Sequence, residues 1–172
     1  MRHAAWARQT GDIGFGGSRT HLEAVLALYD PLAHSSLVHQ AGFHPSGNAL
    51  ACLGVVLLAL GYPEQALARS AASVAEARRL AHLPSLASVL ALGAVPFALI
   101  GDGAVLGEWA DELVALASEQ GLPFWGAIGT SHRGWVKVKN GDVLEGISLL
   151  RNGTAAFRGT ERSCSRLILS LC

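Results

Sequence analysis

Apolar residues recur at spacings of three and four along most of the chain, which predicts amphipathic helices. After Pro63 the small and apolar positions follow this spacing, whereas Glu64, Arg69 and Glu76 fall on the opposite face. Other segments are apolar nearly all round, as expected of helices covered by neighbours on two sides. The predicted helices are Thr20 to Tyr29, a helix capped by Ser46 or Asn48 that runs to Leu60, Pro63 to Leu80, Pro84 to Ile100, Ala104 to Glu119, Pro123 to Lys139 and Val143 to Phe157.

Two kinds of helix boundary repeat at fixed intervals. Gly61, Gly101 and Gly141 lie forty residues apart, and each follows an apolar segment. A second series, marked by Pro45, Pro84 and Pro123, has a spacing of thirty-nine. Two boundaries per period indicate two helices per repeat, which is typical of a helical-hairpin solenoid. We therefore predict an all-α fold, a right-handed α-solenoid of about three and a half helix-turn-helix repeats.

The repeats do not extend over the whole chain. Residues 1–18 are rich in glycine and predict an irregular leader, residues 19–160 form the repeat domain, and residues 161–172 predict a truncated or capping helix. In the last two predicted outer helices, the inward positions are Leu106, Trp109, Ala110, Leu113 and Leu116, and Leu144, Ile147, Leu150 and Ala155.

Composition narrows the class of protein. Of 172 residues, 51% are hydrophobic and 15% charged, which excludes disorder for most of the chain. A net charge of zero offers no basic excess for a nucleic-acid partner. The three cysteines have no Cys-x-x-Cys spacing and fit a reducing compartment, and no secretory signal begins the sequence. We expect a cytoplasmic location.

A membrane protein is the alternative that hydropathy raises. No Asp, Glu, Lys or Arg occurs between Asp30 and Glu64, or between Arg79 and Asp102. A spanning helix needs about 20 predominantly apolar residues. Histidines and Pro45 interrupt the first segment, and Pro84 and Pro96 interrupt the second. We expect inner helices of a solenoid instead, and no membrane partner.

The junction between the second and third predicted helices, Leu57-Leu58-Ala59-Leu60-Gly61-Tyr62-Pro63-Glu64-Gln65-Ala66-Leu67, resembles the Leu-Gly-x-x-x-x-Ala junction of tetratricopeptide repeats. The period exceeds the usual 34 residues of that family. More narrowly, the chain resembles the C-terminal repeats of bacterial multidomain proteins that pair an adenylate/guanylate cyclase domain with an AAA-type ATPase domain. That resemblance covers about Thr20 to Phe157 and rests on Ala27-Leu28-Tyr29-Asp30-Pro31 with His34, Leu60 to Ala66, Glu119 to Trp125, Gly134-Trp135 and Gly146-Ile147.

This resemblance implies a non-catalytic interaction or regulatory module, a fragment of a signalling ATPase or cyclase. The alternative is part of an enzyme whose catalytic domains lie outside this chain. The expected partners are a protein, a peptide or neighbouring domains of the parent, and uncapped ends predict self-association.

Candidate chemistry is sparse. The glycine-rich segment 14–20 lacks the Gly-Lys-Ser/Thr of a phosphate loop. His34, His39 and His44 are five apart, whereas metal-binding pairs on one helix need three or four. Cys52 lies among apolar residues, where a thiol is inert. We predict no catalytic, cofactor-binding or metal-binding residue.

One segment suggests binding. Trp125, His132, Arg133 and Lys137 gather aromatic and basic side chains on the third inner helix. Arg133 and Lys137 are four apart and share a face, where they could hold an acidic group of a peptide in the concave groove. The alternative is that the tryptophan packs in the core and the basic residues face solvent.

Overall fold

The computed structural model describes residues 14–30 and 43–170, with the backbone alone for 161–170. Within these ranges the chain is helical, without a strand. The prediction of an all-α fold is confirmed. The helices are α1 (Phe15–Leu28), α2 (Pro45–Ala59), α3 (Pro63–Leu80), α4 (Leu83–Ile100), α5 (Gly103–Gln120), α6 (Pro123–Lys139) and α7 (Val143–Ser170).

The turns repeat every twenty residues, which is half the period visible in the sequence. Each turn from α2 onward contains one residue with positive φ, and the five values are +85°, +51°, +96°, +64° and +95° at Gly61, Ala81, Gly101, Gly121 and Gly141. The glycines supply this backbone conformation without steric cost. The sequence hid the shorter period because one of the five positions is an alanine.

Hydrogen bonds close four of these five turns in a common way. The amides of Tyr62, Asp102, Leu122 and Asp142 each donate to the carbonyl five residues earlier, at 2.9 Å. This bond satisfies a carbonyl that the helix end would leave unpaired. Prolines at the first turn of the next helix, such as Pro63, then restart the helical backbone, as predicted.

The start of α2 differs from its prediction. His44, not Ser46 or Asn48, is the N-cap residue, and its side chain does not cap the helix. Asn48 instead accepts a hydrogen bond at 2.8 Å from the hydroxyl of Ser88 on α4. Because Pro45 already fixes the first helical φ, the helix begins there without a side-chain cap.

Each helix packs against the next one along the chain, and α4 also contacts both α2 and α6. Helices α3 and α5 are joined by the ion pair between Arg78 and Glu112. The main core lies between the layers, where Trp109 meets Phe97 edge to face with ring centroids 4.9 Å apart. All five predicted inward positions of α5 are buried: Leu106, Trp109, Ala110, Leu113 and Leu116.

Small residues bring α6 and α7 into backbone contact. A β-carbon on Gly134 would lie 2.8 Å from the carbonyl oxygen of Gly146, and one on Gly153 would lie 2.8 Å from that of Ala127. These positions therefore have no room for a side chain. The predicted inward face of α7 is wrong, because Leu144 (88%), Ile147 (39%) and Ala155 are exposed and only Leu150 of the four predicted positions is half-buried.

Both ends of the repeat region also differ from the predictions. Helix α1 begins at Phe15, inside the segment expected to be irregular, and the rest of the predicted leader lies outside the described residues. Residues 161–170 do not form a separate helix, because α7 continues without a break from Val143 to Ser170. Between Phe157 and Glu161 the sequence offers a single glycine and no proline, which does not suffice to end a helix.

The turn conformation gives a first prediction. Nothing lies within 4 Å of a β-carbon built at Gly61, so Gly61→Val should act through the backbone alone. We expect a loss of about 1 kcal/mol or more in the free energy of unfolding, because β-branched residues resist positive φ. Ala81→Gly should stabilise the chain by up to about 1 kcal/mol. Urea unfolding of both variants measures this, and a loss of stability in Ala81→Gly would contradict it.

A buried hydroxyl gives a second prediction. Ser70 is fully buried between α2 and α3, and its Oγ has no hydrogen-bond partner among the described residues. Ser70→Ala should therefore raise the free energy of unfolding by about 1 kcal/mol. The matched control is Ser73→Ala, since Ser73 is equally buried but donates to the carbonyl of Ser70 at 2.7 Å. Equal effects of the two substitutions would refute this account.

Candidate functional site

The four residues predicted to bind a partner do not share one surface. Trp125 packs, half-buried, against the main core and meets Phe124 edge to face at 4.8 Å between centroids. His132 is directed at α4, and Arg133 and Lys137 are directed at the side between α5 and α7. For Trp125 the structure agrees with the alternative, since its ring lies against the core.

His132 links two inner helices. Its Nε2 lies 3.0 Å from the carbonyl oxygen of Ala91 on α4, so the ring N–H donates across the interface. Burial lowers the pKa of His132, and the hydrogen bond to Ala91 opposes part of that effect. The neutral imidazole thus stabilises the contact between α4 and α6.

Arg133 and Lys137 line a charged groove of about 380 Å³ between α5, α6 and α7. The Arg133 guanidinium pairs with Asp111 on α5. The Lys137 ammonium lies 2.9 Å from the Glu145 carboxylate and 3.2 Å from that of Asp142. Hydrogen bonding to Glu145, and then to Asp142, raises the pKa of Lys137.

The charge of this groove decides what it can hold. Its two basic side chains face three carboxylates, so an acidic peptide would have to displace existing partners. The pairs are exposed, and they contribute little to stability because water and salt screen them. In this structure both basic side chains are already paired, and binding of an acidic peptide group by Arg133 and Lys137 stays a prediction.

Sequence reasoning missed a polar cluster where α1, α2 and α4 meet. The Tyr29 hydroxyl lies 3.1 Å from Nδ1 of His44, and the backbone N–H of His44 donates to Ser85 Oγ at 2.7 Å. The same Oγ lies 2.7 Å from Nδ1 of His82, which also caps α4. His44 is 8% exposed, and burial, ahead of its charged neighbours, lowers its pKa. The cluster joins two inner helices.

Helices α2, α4 and α6 also carry apolar side chains at equivalent positions, which we call the forty-residue register. Val55, Val95 and Trp135 are forty residues apart on α2, α4 and α6, and each is half-buried. One turn later on α4, Leu99 is 69% exposed. At the equivalent place on α6, the Lys139 ammonium sits 4.9 Å from the centroid of Trp135. The forty-residue period could have located this surface, because it places equivalent residues on one face.

Among the described residues, no group of three or more His, Cys, Asp or Glu is placed so that it could hold a metal ion. Burial raises the pKa of the half-buried Cys52 thiol, as its apolar neighbours predicted. His34 and His39 lie outside the described residues.

One helix bears on the membrane alternative. Of the helices described, α4 is the one long and apolar enough to cross a bilayer, with a mean hydropathy of 2.0. However, 56% of that segment is buried against its neighbours, which suits the central helix of a packed array equally well.

Comparison with known protein families, with characterised proteins and with solved structures finds no match for this chain. Inference about its function therefore rests on the residues and the geometry described above.

The buried His44 and the half-buried His132 give a third prediction. A lowered pKa means that the unfolded chain takes up protons first, so stability should be full above about pH 6.5 and fall as the pH drops below it. The slope is at most about 1.4 kcal/mol per pH unit for each histidine. His132→Gln keeps a donor for Ala91 and should reduce the loss between pH 7.5 and 5.5 in urea unfolding. Equal losses in the variant and the parent would contradict the prediction.

Proposed function

We propose that this chain is a right-handed α-solenoid of tetratricopeptide-like hairpins that acts as a non-catalytic protein-interaction or regulatory module. The carrying observation is the packing order, in which α4 contacts α2 and α6 while α3 and α5 meet through a side-chain ion pair. Such an array has an inner and an outer surface and offers extended area for a partner.

The inner surface is the one that we favour for binding. It combines Val55 and Val95, which are forty residues apart and half-buried, with the exposed side chain of Leu99. Trp135 occupies the next position of this register and packs, like Trp125, against the main core. The buried centre of a protein interface is more apolar than the rest of the protein surface, so we expect contact on this side. This assignment replaces Arg133 and Lys137, whose charges are already paired.

The resemblance to bacterial cyclase–ATPase proteins extends the proposal to a parent. In that setting the chain is a fragment of a cytoplasmic signal-transduction protein, and its partner is a protein, a peptide or a neighbouring domain. The second candidate is part of an enzyme whose catalytic domains lie outside this chain. In that case too the repeats would act as an interaction or regulatory module. ATP turnover by the purified chain itself would favour an enzyme instead. A membrane protein remains the third candidate because of the composition of α4.

Site-specific photo-cross-linking tests the inner surface. A cross-linking amino acid at Leu99 on α4 should give one major protein adduct in the native cells, and the same residue at the exposed Ala115 on α5 should not. Binding of the purified partner should then weaken at least tenfold in Leu99→Asp and remain unchanged in Ala115→Asp. Equal adducts from both positions, or equal binding by both variants, would count against the inner surface.

A further inference from the structure

The open side of α7 forms a second surface with its own chemistry. Ile147 is 39% exposed, Leu150 is half-buried and Thr154 is exposed, and these three residues follow a spacing of three and four along one face, with Ala155 beside them. Arg151 and Arg158 border this face, and the depression between the side chains has a volume of about 350 Å³. Leu150 is shared with the contact to α6, where its side chain lies against Gly134, whereas Ile147, Arg151, Thr154 and Arg158 are exposed beside that contact.

The equivalent face of α5 shows what this geometry accommodates. Forty residues earlier, the equivalent positions Ala110, Asp111 and Val114 on α5 face α6. A β-carbon on Gly129 of α6 would lie 3.3 Å from the carbonyl oxygen of Ala110, which is the counterpart of Leu150. Asp111, the counterpart of Arg151, pairs with Arg133 of α6. The face of α7 is thus equivalent to the face of α5 that packs against α6.

Its charge is opposite to that of the α5 face. Arg151 stands where α5 has Asp111, and Arg158 follows seven residues later, about 10 Å along the same side of the helix. Both arginines are exposed, and neither has a hydrogen bond or ion pair among the described residues. A helix that docks here gains from acidic side chains placed seven residues apart.

The chain's own inner helices do not have that chemistry. Neither α2, α4 nor α6 contains an aspartate or a glutamate, and α6 is basic. On the outer helix α5, Glu112 and Glu119 have the right spacing, but Glu112 is held by Arg78. A second copy of the chain is therefore a poor occupant of this face.

We propose that the face of α7 formed by Ile147, Leu150, Arg151, Thr154 and Arg158 binds an acidic amphipathic helix of a partner protein, in the orientation in which α6 lies on α5. The inference builds on the proposed interaction module and gives it a second surface, opposite in character to the apolar inner one. The two arginines select the partner by charge, and the apolar side chains between them supply the buried contact.

A peptide with the sequence of α6, altered at two positions, tests this. Where α6 packs antiparallel on α5, Arg133 pairs with Asp111. Gly126 lies next to Ala117, whose neighbour Ser118 is the counterpart of Arg158. The probe is therefore a fluorescein-labelled peptide of residues 123–139 with Gly126→Glu and Arg133→Glu. Fluorescence anisotropy should show it binding the chain at least tenfold more tightly than the unchanged 123–139 peptide, whose arginine would face Arg151.

Variants of the chain provide the controls. Arg151→Glu and Arg158→Glu should each weaken binding of the acidic peptide at least tenfold. Arg151→Glu should also improve binding of the unchanged peptide. Arg69→Glu, an exposed arginine on α3, should change neither. Thermal unfolding would show that these surface variants remain folded.

Equal binding of the two peptides would overturn the proposal, and so would equal effects of Arg69→Glu and Arg151→Glu on binding. A dimer of the chain that dissociates on Arg151→Glu would also overturn it, because the occupant of the face would then be a second copy of the chain. Leu99→Asp should leave peptide binding unchanged, so failure of the inner surface and failure of the α7 surface can be told apart.

Discussion

The arrangement of helices depends on one backbone constraint, a residue at positive φ in every turn after α2. An L-residue in this conformation brings its β-carbon close to the following carbonyl, at a cost of roughly 1–2 kcal/mol, and glycine avoids that cost. Together with the amide that returns to the carbonyl five residues earlier, the turn ends one helix and begins the next within two or three residues. The side chains of neighbouring helices can then pack against each other, because the turns have already fixed how the helices are aligned.

This constraint explains which features could be predicted from the sequence. Gly61, Gly101 and Gly141 identified the long period, and three- and four-residue spacing identified the buried face of α5. Ala81 concealed the shorter period because alanine carries no signal for positive φ. The start of α1 and the unbroken length of α7 were missed since glycine alone does not decide where a helix ends.

The candidate site was harder to predict than the fold, and the reason is electrostatic. Sequence spacing placed Arg133 and Lys137 on one face, but their acidic partners come from α5 and α7. Such pairing depends on tertiary contacts between residues up to 22 positions apart. The burial of His44 likewise follows from Tyr29 and Ser85, which reach it from other helices. Arg151 and Arg158 differ from Arg133 and Lys137 in that no carboxylate of the described residues pairs with them.

The glycines between α6 and α7 have a mechanical consequence. Two helices whose backbones touch cannot slide or tilt without forcing carbonyl oxygens into each other, so this hairpin should behave as a rigid plate. Between α3 and α5 the direct link is a pair of long, partly exposed side chains, which stretch and rotate at little cost. Elastic compliance is thus unevenly distributed along the array. We therefore expect a load to shift α3 relative to α5 before it separates α6 from α7.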